Sequence, residues 1–208
     1  MSDDVFTVPL PARAAGHVEP APRLRAPGPA RQTGTVSTYV VLLRAVNVGG
    51  TGKLPMADLR RLAEDAGFTG ARTYIASGNL VLESDDDADA VAVGRTLERA
   101  LAAYAGKPVG VLVRTPAEVR RVLADNPFPG EPGNRVAVIF LPGPTPSDAL
   151  DTVSRADDGE EVRVGDRVLY VHYPHGMGRS KLRMPAAAAG TARNLNTVAK
   201  LAELSAER

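Results

Sequence analysis

Two glycine-rich stretches carry the residues of this sequence that are best equipped for chemistry. The first, RAVNVGGTGKLPM at 44–56, sets Arg44, Asn47 and Lys53 around Gly49, Gly50 and Gly52. The second, HGMGRSKL at 175–182, sets Arg179, Ser180 and Lys181 behind Gly176 and Gly178. It is followed at 191–197 by TARNLNT, which supplies Thr191, Arg193 and Asn194. Glycines let backbone N–H groups approach an anion closely, and Arg, Lys, Ser and Thr add charged and directional donors. The chemistry these residues share is the holding of phosphate or carboxylate.

The first stretch looks like a nucleoside-triphosphate loop and fails the test for one. A Walker loop needs G-x-x-x-x-G-K-[ST], with a hydroxyl after the lysine to hold Mg²⁺. Counting back from Gly52-Lys53, the first position is Asn47, and Leu54 follows the lysine. Leu54 ligates no metal, and Pro55 removes a backbone N–H. Two readings stand: a structural strand-to-helix turn, or the wall of a different ligand site with Arg44, Asn47 and Lys53 facing it.

The second stretch lies in a strongly segregated region. From Arg167 to Ala202 there is no Asp or Glu, whereas the segment from Asp148 to Asp166 is predominantly acidic. With Lys+Arg at 25 and Asp+Glu at 24, the whole chain is near neutral, so any positive field is local. Thr191 or Asn194 is placed to cap a final helix, whose N-terminus favours anions. The structural alternative is that these two only cap, that Arg193 pairs with the acidic segment, and that the glycines only turn.

Other chemistries fit less well. The chain has no cysteine, which removes disulfides, thiolate metal sites and cysteine nucleophiles, and fits a reducing cytoplasm. His172 and His175 have no carboxylate beside them in sequence to complete a metal set, and Ser180 with His175 has no evident orienting acid. No metal site and no cofactor is expected. No apolar run is long enough to cross a bilayer, so no membrane partner is expected.

The elements that must position these residues alternate between strands and helices. Pro9, Pro11, Pro20, Pro22, Pro27 and Pro29 make residues 1–36 a Pro/Ala/Arg-rich tail expected to be disordered. Val36 also reads as an alternative start, which N-terminal sequencing of the native protein decides. TYVVLLRAV (38–46) is a strand covered on both faces, and PMADLRRLAEDAG (55–67) is an amphipathic helix. ARTYIA (71–76) and LVLES (80–84) form a hairpin about Ser77-Gly78-Asn79; a helix to about Ala105 and the strand 108–115 follow. That order is β-α-β-β-α-β, the ferredoxin-like plan. Beyond it the pattern predicts helices at 116–125 and 146–156, strands at 135–142, 160–164 and 167–173, and a C-terminal helix at 195–207. The fold class is therefore α+β: two tandem ferredoxin-like units, 37–115 and 116–208, the second with the C-terminal helix.

Four segments in order, YVVLLRAVNVGGTGKLPMADLRRLAEDAGF, TYIASGNLVLES, NPFPGEPGNRVAVIFLP, and GMGRSKL with TARNLNTVAKLAEL, resemble a bacterial family known as domain of unknown function 1697. The resemblance runs from about Thr38 to the C-terminus. It implies tandem ferredoxin-like units and leaves the activity unassigned. Two features depart from the family pattern: Leu195 stands where Trp is usual, and RMPAAAA (183–189) is shorter than the family's helical segment.

The function expected on these grounds is binding of an anionic, phosphorylated small ligand at a composite basic site of Arg44, Asn47, Lys53, Arg179, Ser180, Lys181, Thr191, Arg193 and Asn194. Whether the protein is an enzyme stays open; electrostatically assisted transfer or hydrolysis would suit these residues, and no general base is evident. The alternatives are a module gripping nucleic-acid backbone and a scaffold without a small-molecule site. An RNA-recognition mode needs aromatics on central strands, and LVLES and LLRAV have none. The oligomeric state is not readable from the sequence.

Overall fold

The computed structural model describes residues 36–47, 54–85 and 88–206. The tail and Lys53 lie outside the described residues. The first sheet contains β1 (Val36–Leu43), β2 (Thr69–Tyr74), β3 (Asn79–Asp85) and β4 (Val111–Arg114), all neighbours antiparallel in the order β2-β3-β1-β4. Helices α1 (Met56–Asp65) and α2 (Ala90–Ala105) connect them. The central strand β1 is apolar and buried from Tyr39 to Leu43, where both of its faces are covered. Tyr39, Val41 and Leu43 point to one side, where Leu59 and Ala63 of α1 and Val93, Leu97 and Leu101 of α2 complete a core. Val40 and Leu42 point to the other.

That second side meets two further helices, α3 (Pro116–Ala124) and α4 (Leu195–Ala206). Val119 and Val122 of α3 and Val198, Leu201 and Ala202 of α4 are buried in one cluster with Val40, Leu42, Val81 and Leu112 of the first sheet. The same cluster includes Val136, Val138, Phe140, Val168 and Tyr170 of the second sheet. The helices thus lie between two sheets and serve both. α3 is started by a full capping box, in which Thr115 and Glu118 satisfy each other's backbone N–H groups. α4 starts at Asn194, whose Oδ1 accepts from Thr197 N at 2.9 Å.

The second sheet contains β5 (Val136–Phe140), β6 (Glu161–Gly165), β7 (Val168–His172) and β8 (Thr191–Asn194), antiparallel in the order β6-β7-β5-β8. The fold is mixed α+β, with two four-stranded antiparallel sheets and four helices among the described residues. Two expectations are corrected in the second half. The segment 146–156 is a run of turns, with Ala149, Asp151 and Val153 each donating three residues back and Ser154 exchanging backbone bonds with Arg183. That pairing draws the chain away from a helical path. Thr191 does not open the last helix; it begins β8, and the cap falls to Asn194. The element order after α3 is therefore β-β-β-β-α, with a 3₁₀ turn at Pro185–Ala187 before the last strand, rather than the expected β-α-β-β-α.

Candidate functional site

The two sheets are joined through Arg193. It extends from β8 and is buried, with 6% of its surface exposed. Nε donates to Asn79 Oδ1 at 2.5 Å, Nη1 to Thr191 Oγ1 at 2.8 Å and Ala192 O at 2.7 Å, and Nη2 to Leu43 O and Ser77 O, both at 2.9 Å. Those bonds use all five guanidinium N–H groups. Thr191 Oγ1 in turn donates to Leu43 O at 3.1 Å. Carbonyl dipoles surround the cation, with no carboxylate among its bonded partners. Burial pushes its pKa down to about 10, still far above neutrality.

Arg193 was expected to neutralise a ligand. Its donors are committed to the end of β1 and the β2–β3 turn, so it acts as a joint between the sheets. Asn79, completely buried, completes that joint by donating to Tyr74 O and Ser77 Oγ. Gly78 has φ +76°, and a Cβ there would lie 2.4 Å from Val46 Cγ2 and 2.8 Å from Leu43 Cβ. Both backbone and space exclude a side chain at this position.

Asn47 sits close to the joint. Its Nδ2 donates to Leu54 O at 3.0 Å and Ala76 O at 2.7 Å, while its Oδ1 accepts from Leu54 N at 2.8 Å. The side chain therefore fastens the chain on either side of 48–53, mimicking a strand partner. Arg44 is half-buried and faces outward from the same strand end. Its backbone N–H donates to Gly110 O at 2.9 Å and its Nη2 to Ala188 O at 2.9 Å. A Cβ at Gly110 would come within 3.0 Å of Arg44 Cδ, so the absent side chain makes room for the arginine stem.

Beside Arg44 lies a cleft of 480 Å³ between the β1 end and the C-terminal end of α2. Its walls are Val46, Leu54, Leu101, Pro108 and Val109, and Arg44 and Lys107 supply positive charge. Tyr104 is also at the cleft, its hydroxyl donating to Asp58 Oδ2 at 2.7 Å. That hydrogen bond is the main reason the tyrosine pKa is raised. No carboxylate or imidazole lines the cleft among the described residues, so these walls offer binding and orientation.

The segment with Arg179, Ser180 and Lys181 lies elsewhere. Ser180 Oγ donates to Glu160 Oε1, and Glu160 immediately precedes β6. In the sheet register, Glu161 and Val136 both face His172, whereas Thr191 faces Phe140. Arg193 itself faces Val138, and β6 and β8 are opposite edges of the sheet, so the strand edge beside the Glu160–Ser180 bond and the strand that bears Arg193 are three strand spacings apart, about 14 Å. Arg179 and Lys181 are exposed. The structure brings Arg44, Asn47, Thr191 and Arg193 together, places Asn194 as a cap, and separates the other three.

Sequence reasoning missed several partners. Glu160 is the acid beside Ser180, and the Ser180 hydroxyl is the chief cause of a carboxyl pKa below the usual range, with the His175 charge a smaller contribution. His172 Nε2 lies 3.1 Å from Glu131 Oε2, and Phe128 packs against its ring at 5.6 Å. Lys107, two residues past the end of α2, carried a weak signal as a cation at a helix C-terminus.

Paired four-stranded antiparallel sheets of this kind recur in a solved structure, the conserved bacterial protein SP0830 from Streptococcus pneumoniae. It is 22% identical, with a TM-score of 0.67, over 82% of this chain and 99% of that one. This chain belongs to the family described as Protein of unknown function (DUF1697), whose model matches residues 36–170. No curated protein is significantly similar to it. The Arg193 joint draws together residues from three of the four segments that carry the family resemblance.

Proposed function

We propose that this chain binds a small anionic, phosphorylated ligand in the cleft beside Arg44. The observation that carries the proposal is a pair of cations, Arg44 and Lys107, at an otherwise apolar concavity. Arg44 engages one backbone carbonyl through Nη2, and its Nε and Nη1 have no protein partner among the described residues. Asn47, Thr191 and Arg193 serve this site by fixing the strand end that bears Arg44. Arg179, Ser180 and Lys181 form a separate surface. The β-α-β-β-α-β order and the 2-3-1-4 strand order support reading the first sheet as ferredoxin-like; the matching strand order of the second supports a degenerate copy of it. The lack of cysteine supports a cytoplasmic setting.

Thermal unfolding of the full chain with inorganic phosphate and sugar phosphates tests the binding. A ligand at one hundred times its Kd stabilises by about 2.7 kcal/mol. The expected rise in Tm disappears in Arg44→Ala and persists in the Arg179→Ala, Lys181→Ala double variant. The reverse pattern refutes the cleft. Stabilisation by short RNA alone, falling steeply with salt, transfers the case to nucleic-acid backbone.

A further inference from the structure

We infer that the ligand is an aryl or alkyl phosphate, a phosphate monoester with an apolar body, rather than a phosphorylated sugar. This rests on the binding proposal above and specifies its ligand. Among the described residues, the positive groups of the cleft are Arg44 and Lys107; Val46, Leu54, Leu101, Pro108 and Val109 offer carbon surface and no side-chain hydrogen-bonding group. Tyr104 adds its ring; its hydroxyl proton is committed to Asp58, which leaves it as an acceptor only. A sugar placed against these walls would lose water from its several hydroxyls and find one side-chain acceptor, Tyr104 Oη, in return, whereas an apolar ring would gain from the same contact.

The shape agrees with the chemistry. The 480 Å³ of the cleft suit a small ring system with one phosphate. Past Pro108 and Val109, which border both spaces, a broader groove of 730 Å³ runs along α2 toward Thr96 and Arg99. A body longer than one ring therefore has room to leave the cleft without turning back on its phosphate.

Calorimetric titration of the full chain with inorganic phosphate, glucose 6-phosphate, phenyl phosphate and 1-naphthyl phosphate, at fixed ionic strength, tests this. Phenyl phosphate is expected to bind about tenfold more tightly than glucose 6-phosphate, the ratio that burying on the order of 60 Å² of apolar surface provides. Naphthyl phosphate is expected to match or exceed it. Val109→Ser is expected to bring the ratio of phenyl phosphate to glucose 6-phosphate affinity close to one, and Val46→Ser provides the same ratio should the first variant fold poorly; a ratio unchanged in both overturns the apolar contact. Glucose 6-phosphate binding as well as phenyl phosphate, with both lost in Arg44→Ala, overturns the apolar body and leaves the binding proposal standing. No binding by any probe, or binding indifferent to Arg44→Ala, overturns both.

Discussion

In the first sheet, α1 and α2 cover the outer face with Leu59, Leu97 and Leu101. In the second, with the same strand order, the outer face is covered by irregular chain: Ala149, Val153, Tyr173, Leu182 and Met184 lie over Ala137, Ile139, Leu169 and Val171. The difference teaches that antiparallel order demands an apolar cover and leaves its backbone form free. Helices satisfy their own backbone groups, but irregular chain must find partners one at a time. Ser154 bonding to Arg183, and Ser180 to both Glu160 and Leu182 N, provide such partners. The cleft lies on the helix-covered side, where α2 ends against the end of β1.

The largest effect is expected where the two halves join. Arg193→Met leaves Asn79 Oδ1 and the Ser77 carbonyl without the Arg193 donor and Leu43 O with Thr191 Oγ1 alone, at a cost of about 3–5 kcal/mol in urea unfolding. Arg193→Lys is expected to recover little, since one ammonium cannot serve five acceptors spread around a planar fork. A loss below about 1 kcal/mol would mean that α3 and α4 alone unite the sheets.

Next comes the contrast between the two covers. Leu59→Ala empties a fully buried helical position and is expected to cost about 2–5 kcal/mol. Met184→Ala, at a partly buried position in the irregular cover, is expected to cost less than half as much, because the neighbouring chain relaxes into the space. Equal losses would show that the irregular cover packs as rigidly as the helices.

The smallest effect concerns the clasp on the second cover. Glu160 has a folded pKa below its ordinary 4.5, chiefly through the Ser180 hydroxyl. A carboxyl held low contributes stability that is complete above the unfolded value and is lost as pH falls through the folded one. The Tm difference between wild type and Ser180→Ala is therefore expected to be constant above pH 4.5 and to narrow below it to the part carried by the Leu182 N–H bond. A gap that widens on acidification would refute the assignment.

The same contrast governs what the sequence made legible. β1 announced itself through continuous β-branched apolar residues, and α1 through its apolar spacing, because each repeats a period. The strand Thr191–Asn194 spans four residues with one β-branched side chain, too few for alternation to show. The turns at 146–156 imitated a helix because Ala149 and Val153 are four apart. At the site, Arg44 and Asn47 were legible from their place beside the glycines. Arg193 was recognised as important and given the wrong kind of partner, since burial among carbonyls depends on contacts more than 110 positions away. Lys107 and Glu160 gain their neighbours only through folding.

The position of α4 between the sheets has a consequence for synthesis. The strands of the first sheet are all present once Arg114 has been added, yet Val40, Leu42 and Val81 wait for Val198 and Leu201 to cover them. A nascent chain stalled before α4 would expose that apolar surface to chaperones, and the early half reaches its final packing only after the late half has emerged from the ribosome.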